Sequence, residues 1–311
     1  MSNVEYKVTA ELGGARLDKA LVALAKGASR ASVKRAIDEG GVRVNGRRRS
    51  KGDLVVEGDV ITIASEHSSD GDDTPVATPG AALDVRLENG QVIVVDKPAG
   101  QATAPLRAGE TGTLANALIT RFPELAGVGY VAREPGLLHR LDTDTSGLLI
   151  VARTSSSFDL LKRALKSDLI KKKYLLLCRE DGLPDAGTIE YPLASHPKDQ
   201  RRVYACIHPR DVIRYSPRDA RTDYRVVDRI GGLALVEVTV ARAVRHQIRI
   251  HFAALGHPLI ADTLYGGPPH DRLTRQALHA SEIAFAGDGD VAPFFVQSSL
   301  PSDIHDAFYG A

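Results

Sequence analysis

Tryptophan is absent from the 311 residues, methionine occurs once and cysteine twice. Cys178 and Cys206 cannot make a disulfide framework, a zinc knuckle or a redox CxxC pair. Charge of one sign is also lacking. Forty Lys and Arg stand against 39 Asp and Glu, a net charge of +1, so overall electrostatics give no argument for a nucleic-acid partner. No apolar run is long enough to span a bilayer. The start, "MSNVEYKVTAELGG", has no signal-peptide core, so a cytoplasmic protein without membrane contact is expected. Neither GxGxxG nor a Walker loop occurs, and nucleotide cofactors have no support. His246, His251 and His257 lack the H-E-x-x-H pattern and a carboxylate at ligand spacing. They read as packing or hydrogen-bonding histidines, and no metal is expected.

What is present divides into two pieces. The length suits roughly two domains. The 43% hydrophobic and 25% charged residues suit a packed core. Residues 65–82, "SEHSSDGDDTPVATPGAA", offer almost nothing to pack and read as a flexible acidic linker. It separates a small piece, 1–64, from a large one, 83–311.

In the small piece, Leu17, Leu21 and Leu24 recur at helical spacing. A second helix follows in "SRASVKRAIDEGG", with Ser29 or Ser32 as N-cap and Gly40 as its stop. "VRVNGRRR" is a strand running into an Asn-Gly hairpin turn, and "GDVITIA" is a closing strand. Nine basic residues (26, 30, 34, 35, 43, 47, 48, 49 and 51) face only Asp38 and Glu39 over this stretch. Most charge runs are solvated faces. Such density in so small a unit is better explained by phosphates.

The large piece mixes strands and helices without a regular βαβ rhythm. "GQVIVVDKPAG", "GLLIVAR" and "LALVEVTV" are strands, "TGTLANALITRF" and "RHQIRIHFAALG" helices, and "SSFDLLKRALKSDLIKKKYLLLC" a helix leading into a strand. The fold class expected is α+β with a mixed sheet. Its most unusual segment is "HRLDTDTSGLLIVAR", His139 to Arg153. The opening D-x-D-x-S-G imitates a calcium loop, but the twelfth position, which needs a carboxylate, is Arg153. Two readings stay open: a hydrogen-bonded turn feeding a strand, or an aspartate kept ionised by arginine for chemistry at a sugar carbon. Spacing alone does not choose between them. A glycoside hydrolase would need a second carboxylate, and Asp144, two positions away on a turn, is unsuited.

Several segments taken together carry a resemblance. "VVDKPAG", "HRLDTDTSG", "KKKYLLL", "HQIRIHFAALGHPLIADTLYGG" and "QALHASEIAFA" resemble, in order, the motifs of the RluA family of RNA pseudouridine synthases over about 84–286. The small piece resembles an S4-type RNA-binding domain over about 15–64. The resemblance implies isomerisation of uridine in RNA without a cofactor. Ribosomal RNA is the expected partner, transfer RNA the alternative, and the protein acts as a monomer. The rival from another class is a non-catalytic ribosome-assembly factor that kept the fold.

By that resemblance Asp142 is the catalytic carboxylate and Arg249 its ion-pair partner. Tyr174 stacks on the target base, and Arg140 holds the extruded nucleotide or fills its place. RNA-backbone contacts are implied for Arg30, Lys34, Arg35, Arg43 and Arg47, and for Lys162, Arg163, Lys166, Lys171 and Lys172. The chain departs from the family at "RAVRHQIR", where Ala243, Val244 and Arg245 stand for Gly, Arg and Thr, and at Ala261, where Gly is usual. Arg242 or Arg245 is expected to restore the lost positive charge.

Overall fold

A computed structural model describes residues 3–25, 30–64, 74–241 and 243–310, with the side chains of residues 30–32 and 35 outside the description. Two compact units result. One holds residues 1–75 with 106–109 and 131–133; the other holds 76–105, 110–130 and 134–311.

In the first unit, helices α1 (Leu17–Leu24) and α2 (Arg30–Asp38) lie in sequence before strands β2 (Val42–Val44), β3 (Arg47–Arg48) and β4 (Val60–Ala64). Leu17, Leu21, Val33, Ile37, Val44 and Ile61 make one apolar core. Gly40, at φ +78°, ends α2 as expected. Gly41 N–H reaches Ala36 C=O and Gly40 N–H reaches Ile37 C=O, the paired bonds of a Schellman stop. Asn45 and Gly46 both have positive φ, as a two-residue hairpin turn requires. The Asn45 side chain then bonds Asp59 and Val60, tying the turn to β4. One strand is not expected from the sequence: β1 (Asn3–Lys7), which pairs antiparallel with β4. Of the two N-cap candidates, Ser29 lies outside the described residues and Ser32 lies within α2.

The second unit is α+β around a mixed sheet of nine strands, in the order β5-β6-β7-β14-β8-β13-β12-β9, with β15 also on β14. The strands are β5 (Asp84–Glu88), β6 (Val92–Lys97), β7 (Ser146–Ala152), β8 (Ile170–Arg179), β9 (Ala186–Ile189), β12 (Thr222–Ile230), β13 (Leu233–Thr239), β14 (Leu278–Phe285) and β15 (Phe294–Gln297). A separate hairpin joins β10 (Leu193–Ser195) to β11 (Val203–Ala205). The helices are α3 (Leu114–Arg121), α4 (Ser155–Lys166), α5 (Pro209–Tyr215), α6 (Gln247–Ala254) and α7 (Ser302–Tyr309). Strand β7 is buried at every position and apolar after Ser146, as a central strand covered on both faces must be. Leu149 and Val151 join one apolar layer with α3, while Leu148 and Ile150 join another with α4.

The end of the stretch expected to be linker is hydrogen-bonded to the fold. Asn116 Nδ2 donates to Val76 C=O at 2.8 Å, and Thr78 N–H donates to Thr120 Oγ1 at 2.7 Å. Residues 65–73 lie outside the described residues.

Candidate active site

Strand β7 meets β14 in parallel at only two positions, Ser146–His279 and Gly147–Ala280. The approach is close. A Cβ on Gly147 would stand 2.2 Å from Ala280 O, and its φ of +114° is itself unfavourable for other residues. That glycine lets the loop before β7 end where it does. The loop, Asp142 to Thr145, is fastened at successive residues. Lys97 Nζ donates to Thr143 C=O at 2.9 Å, as well as to Pro98 and Gln101 C=O. Arg275 Nη1 donates to Asp144 C=O, Gln276 Nε2 to Thr145 Oγ1, and Ser146 Oγ lies 3.0 Å from His279 Nδ1. Thr145 N–H closes the turn onto Asp142 C=O. Asp142 thus opens a hydrogen-bonded turn that feeds strand β7.

Asp142 Oδ2 accepts from Arg249 Nη1 at 2.8 Å. Arg249, the third residue of α6, also donates Nε and Nη2 to Asp262 at 2.7 and 2.8 Å. Exposure orders the three groups. The Asp262 side chain is 0% exposed, Arg249 8% and Asp142 22%. Burial works to lower the Arg249 pKa, but Asp262 and Asp142 outweigh it and hold it above the ordinary value. A fixed cation therefore stands beside a carboxylate that opens towards solvent.

Tyr174 on β8 lies across β14 from Gly147, since both register with Ala280. It is buried, and burial followed by the Asp142 charge pushes its hydroxyl pKa up, so it stays protonated. His246 precedes α6 at φ +56°. Its Nε2 lies 3.6 Å from Asp142 Oδ1 and its Nδ1 2.9 Å from Tyr265 Oη. Val203 N–H donates to the same Oη at 2.8 Å. The Tyr265 hydroxyl keeps its proton available to Nδ1, and in the tautomer that accepts it the imidazole proton stands on Nε2, towards Asp142. Burial lowers the His246 pKa, against the pull of Asp142.

The structure thus brings together Asp142, Arg249 and Tyr174, and adds His246, Asp262 and Tyr265, which sequence reading left without a role. "HQIR" and "ADTLY" were the available signals. His251 is a buried hydrogen-bonding residue as expected, between Thr222 and Tyr191, and His257 bonds Arg179 C=O. Arg140 is not in the constellation. Its side chain is 55% exposed and pairs with Glu134 at 3.0 Å, so the guanidinium beside Asp142 is Arg249.

The basic residues differ in what they offer. Lys34, Arg43, Arg47, Arg163, Lys166 and Lys171 are exposed; the side chains of Arg30 and Arg35 lie outside the described residues. Lys162 pairs with Asp159 and lies over the Tyr130 and Phe158 rings. Lys172 corrects its expectation as a phosphate contact. On β8 it points with Ile170 and Tyr174 to the buried side, is 3% exposed, and burial pushes its pKa down to about 8. Arg245 is not an unspent charge either: its Nη2 donates to Gln200 and Arg202 C=O at 2.8 and 3.0 Å. Arg242 lies outside the described residues.

Chemically the site offers a carboxylate paired with a locked cation, an imidazole and a buried aromatic. It offers no glycosidase pair, because the nearby second carboxylate, Asp262, is fully buried and bonded twice to Arg249. No helix is long and apolar enough to cross a membrane among the described residues.

Comparison with known proteins bears on the whole arrangement. Residues 91–254 match the RNA pseudouridylate synthase family model, and residues 15–61 match the S4 domain. A ribosomal large subunit pseudouridine synthase D from Nitrosomonas europaea is 32% identical over 313 residues, covering 97% of this chain and 86% of that protein. An uncharacterised RNA pseudouridine synthase from Synechocystis is 33% identical over 274 residues, covering 87% and 81%. The solved human RNA pseudouridylate synthase domain containing 1 superposes with a TM-score of 0.58 at 24% identity, over 74% of this chain and 90% of that one, a likeness of fold. The loop that β7 and β14 pin together therefore lies inside a matched enzyme domain, and this chain belongs to the RNA pseudouridylate synthase family, with an S4 domain ahead of the catalytic one.

Proposed function

We propose that this chain isomerises uridines of large-subunit ribosomal RNA, with Asp142 as the catalytic carboxylate. In that reaction the N1–C1′ glycosidic bond breaks, the uracil turns, C5–C1′ forms, and the hydrogen on C5 is lost as a proton. The observation that carries the assignment is the Arg249–Asp142 contact of 2.8 Å at the exposed end of a buried ion-pair chain. A carboxylate so paired is ready to add to the sugar or to take a proton from it, and either role needs the ionised form.

Tyr174 is assigned to the target base. Stacking of a base on an aromatic ring contributes about 1–3 kcal/mol, comparable to the few kcal/mol needed to draw a uridine out of its stack. Arg140, exposed two residues before Asp142, is assigned to the vacated position in the RNA. The exposed bases Lys34, Arg43, Arg47 and Lys171 are assigned to phosphates, which position RNA without reading its sequence. Asp142, Arg249 and Tyr174 all come from one chain, which supports action as a monomer, and ribosomal RNA as substrate implies the cytoplasm.

Ribosomal rather than transfer RNA is favoured by the similarity to synthases named for the large ribosomal subunit. Tritium release from transcribed ribosomal and transfer RNA labelled at uracil C5 tests both parts. Release from ribosomal RNA that Asp142→Asn abolishes is the expected result. Release from transfer RNA alone would overturn the substrate. Release undiminished in Asp142→Asn would overturn the residue.

A further inference from the structure

The turn between β10 and β11, "HPKDQRR" at 196–202, has no part in the roles above. Its acid is already taken, since Asp199 accepts twice from Arg201, at 3.1 and 3.0 Å. Arg202 is different. Its guanidinium carbon lies 5.5 Å from the centroid of the Tyr265 ring, the ring that also receives Arg249 at 5.2 Å. Its Nε is buried and has no hydrogen-bond partner among the described residues. A buried donor left unpaired is unfavourable, and a charged one more so, unless a ligand completes it.

Three hydrogen bonds fix the backbone that carries this guanidinium. Arg245 Nη2 donates to Gln200 and Arg202 C=O, and Val203 N–H donates to Tyr265 Oη. Tyr265 in turn meets His246, 3.6 Å from Asp142. The turn is therefore tied to the residues that surround the catalytic carboxylate. The sequence leads one to expect Arg245 itself to replace the charge missing from the family pattern. Instead Arg245 holds the neighbouring turn, and the guanidinium with a buried donor left without a hydrogen bond among the described residues is Arg202.

We propose that Arg202 binds a phosphodiester of the RNA strand entering the Asp142 cleft, and that Arg245 is the positioning residue that holds it there. Phosphate is the ligand class that suits a planar fork with a free donor beside a site for RNA. This inference rests on the catalytic reading of Asp142.

The test is filter binding of the full chain carrying Asp142→Asn to transcribed large-subunit ribosomal RNA, between about 50 and 200 mM KCl. Adding Arg202→Met is expected to weaken binding about tenfold at the low end and to flatten the log–log salt slope by about 0.7–0.9. Arg202→Lys, which keeps the charge, retains the slope. Arg245→Met is expected to reproduce the loss, and Arg202→Met with Arg245→Met to bind no worse than Arg202→Met alone, as for two residues serving one contact. A slope unchanged by Arg202→Met, at an unchanged melting temperature, overturns the phosphate contact. Additive losses overturn the positioning role. Because binding is read on the Asp142→Asn chain, it can fail separately from tritium release by the wild type.

Discussion

Asp262 grips Arg249 by two hydrogen bonds, Nε to Oδ2 and Nη2 to Oδ1, leaving Nη1 for Asp142. The two carboxylates are thus unequal: one orients the guanidinium and the other is oriented by it. Truncating the buried member of such a pair strands a charge and typically costs about 3–5 kcal/mol. Asp262→Ala is expected to lose stability of that order in urea unfolding. It should also slow tritium release by about 100-fold through misplacement of Arg249. Asp142→Asn, at the exposed end, should abolish release and change stability by about 1 kcal/mol or less. Equal destabilisation by the two variants would refute the asymmetry.

Ala261 sits at φ +58°, one residue before Asp262, and is buried. The left-handed region costs an L-residue about 1–2 kcal/mol, which is the physical reason that glycine is favoured there. Glycine returns part of that gain through the entropy of the unfolded chain. Ala261→Gly is therefore expected to raise stability by about 0.5–1 kcal/mol, read as a higher urea midpoint at constant m-value. A lower midpoint would show that the Ala261 methyl contributes more by packing than its conformation costs.

The two observations mark how much was legible in the sequence. Motif order gave the family and the mixed α+β fold, and it singled out Asp142 and Arg249, which the fold pairs, and Tyr174, which it buries nearby. Spacing could not, because Asp142 and Arg249 are 107 positions apart and meet only in the folded chain. His246, Asp262 and Tyr265 went unassigned for the same reason. Lys172 was readable in principle: strand side chains alternate, and it shares parity with Ile170 and Tyr174. Counting it with a basic run ignored that alternation. Strand β1 escaped because four of its five residues are exposed and no apolar period marks it. Val76 and Thr78 dock through backbone hydrogen bonds, which composition does not encode.

Lys172 makes a second use of burial. Its pKa in the fold is pushed down to about 8, against an ordinary 10.5. Below about pH 8 the ammonium is present in both states and is penalised only in the folded one. Between 8 and 10.5 the unfolded chain holds more protons, so this group makes stability rise with pH. Lys172→Met is expected to stabilise by about 2–3 kcal/mol at pH 7. The advantage should shrink to nothing as pH passes 10.5. Urea unfolding of both proteins across that range checks it, and a pH-independent difference would exclude the linkage.

The small domain stores a different tension. Arg43 and Arg48 stand directly opposite each other in the β2–β3 hairpin, and both are exposed. Like charges placed so are destabilising, by about 0.2–1 kcal/mol. A polyanion lying across the hairpin would turn that repulsion into attraction, because released counterions reward each neutralised phosphate. Arg48→Thr, with a β-branched residue suited to a strand, should then stabilise the free protein by up to about 1 kcal/mol. The same change should flatten the salt slope of RNA binding by about 0.7–0.9. Melting curves and binding isotherms on one preparation separate the two effects. Gain of stability without change of slope would make the arginine pair a solvated face and remove the hairpin from the RNA-binding surface.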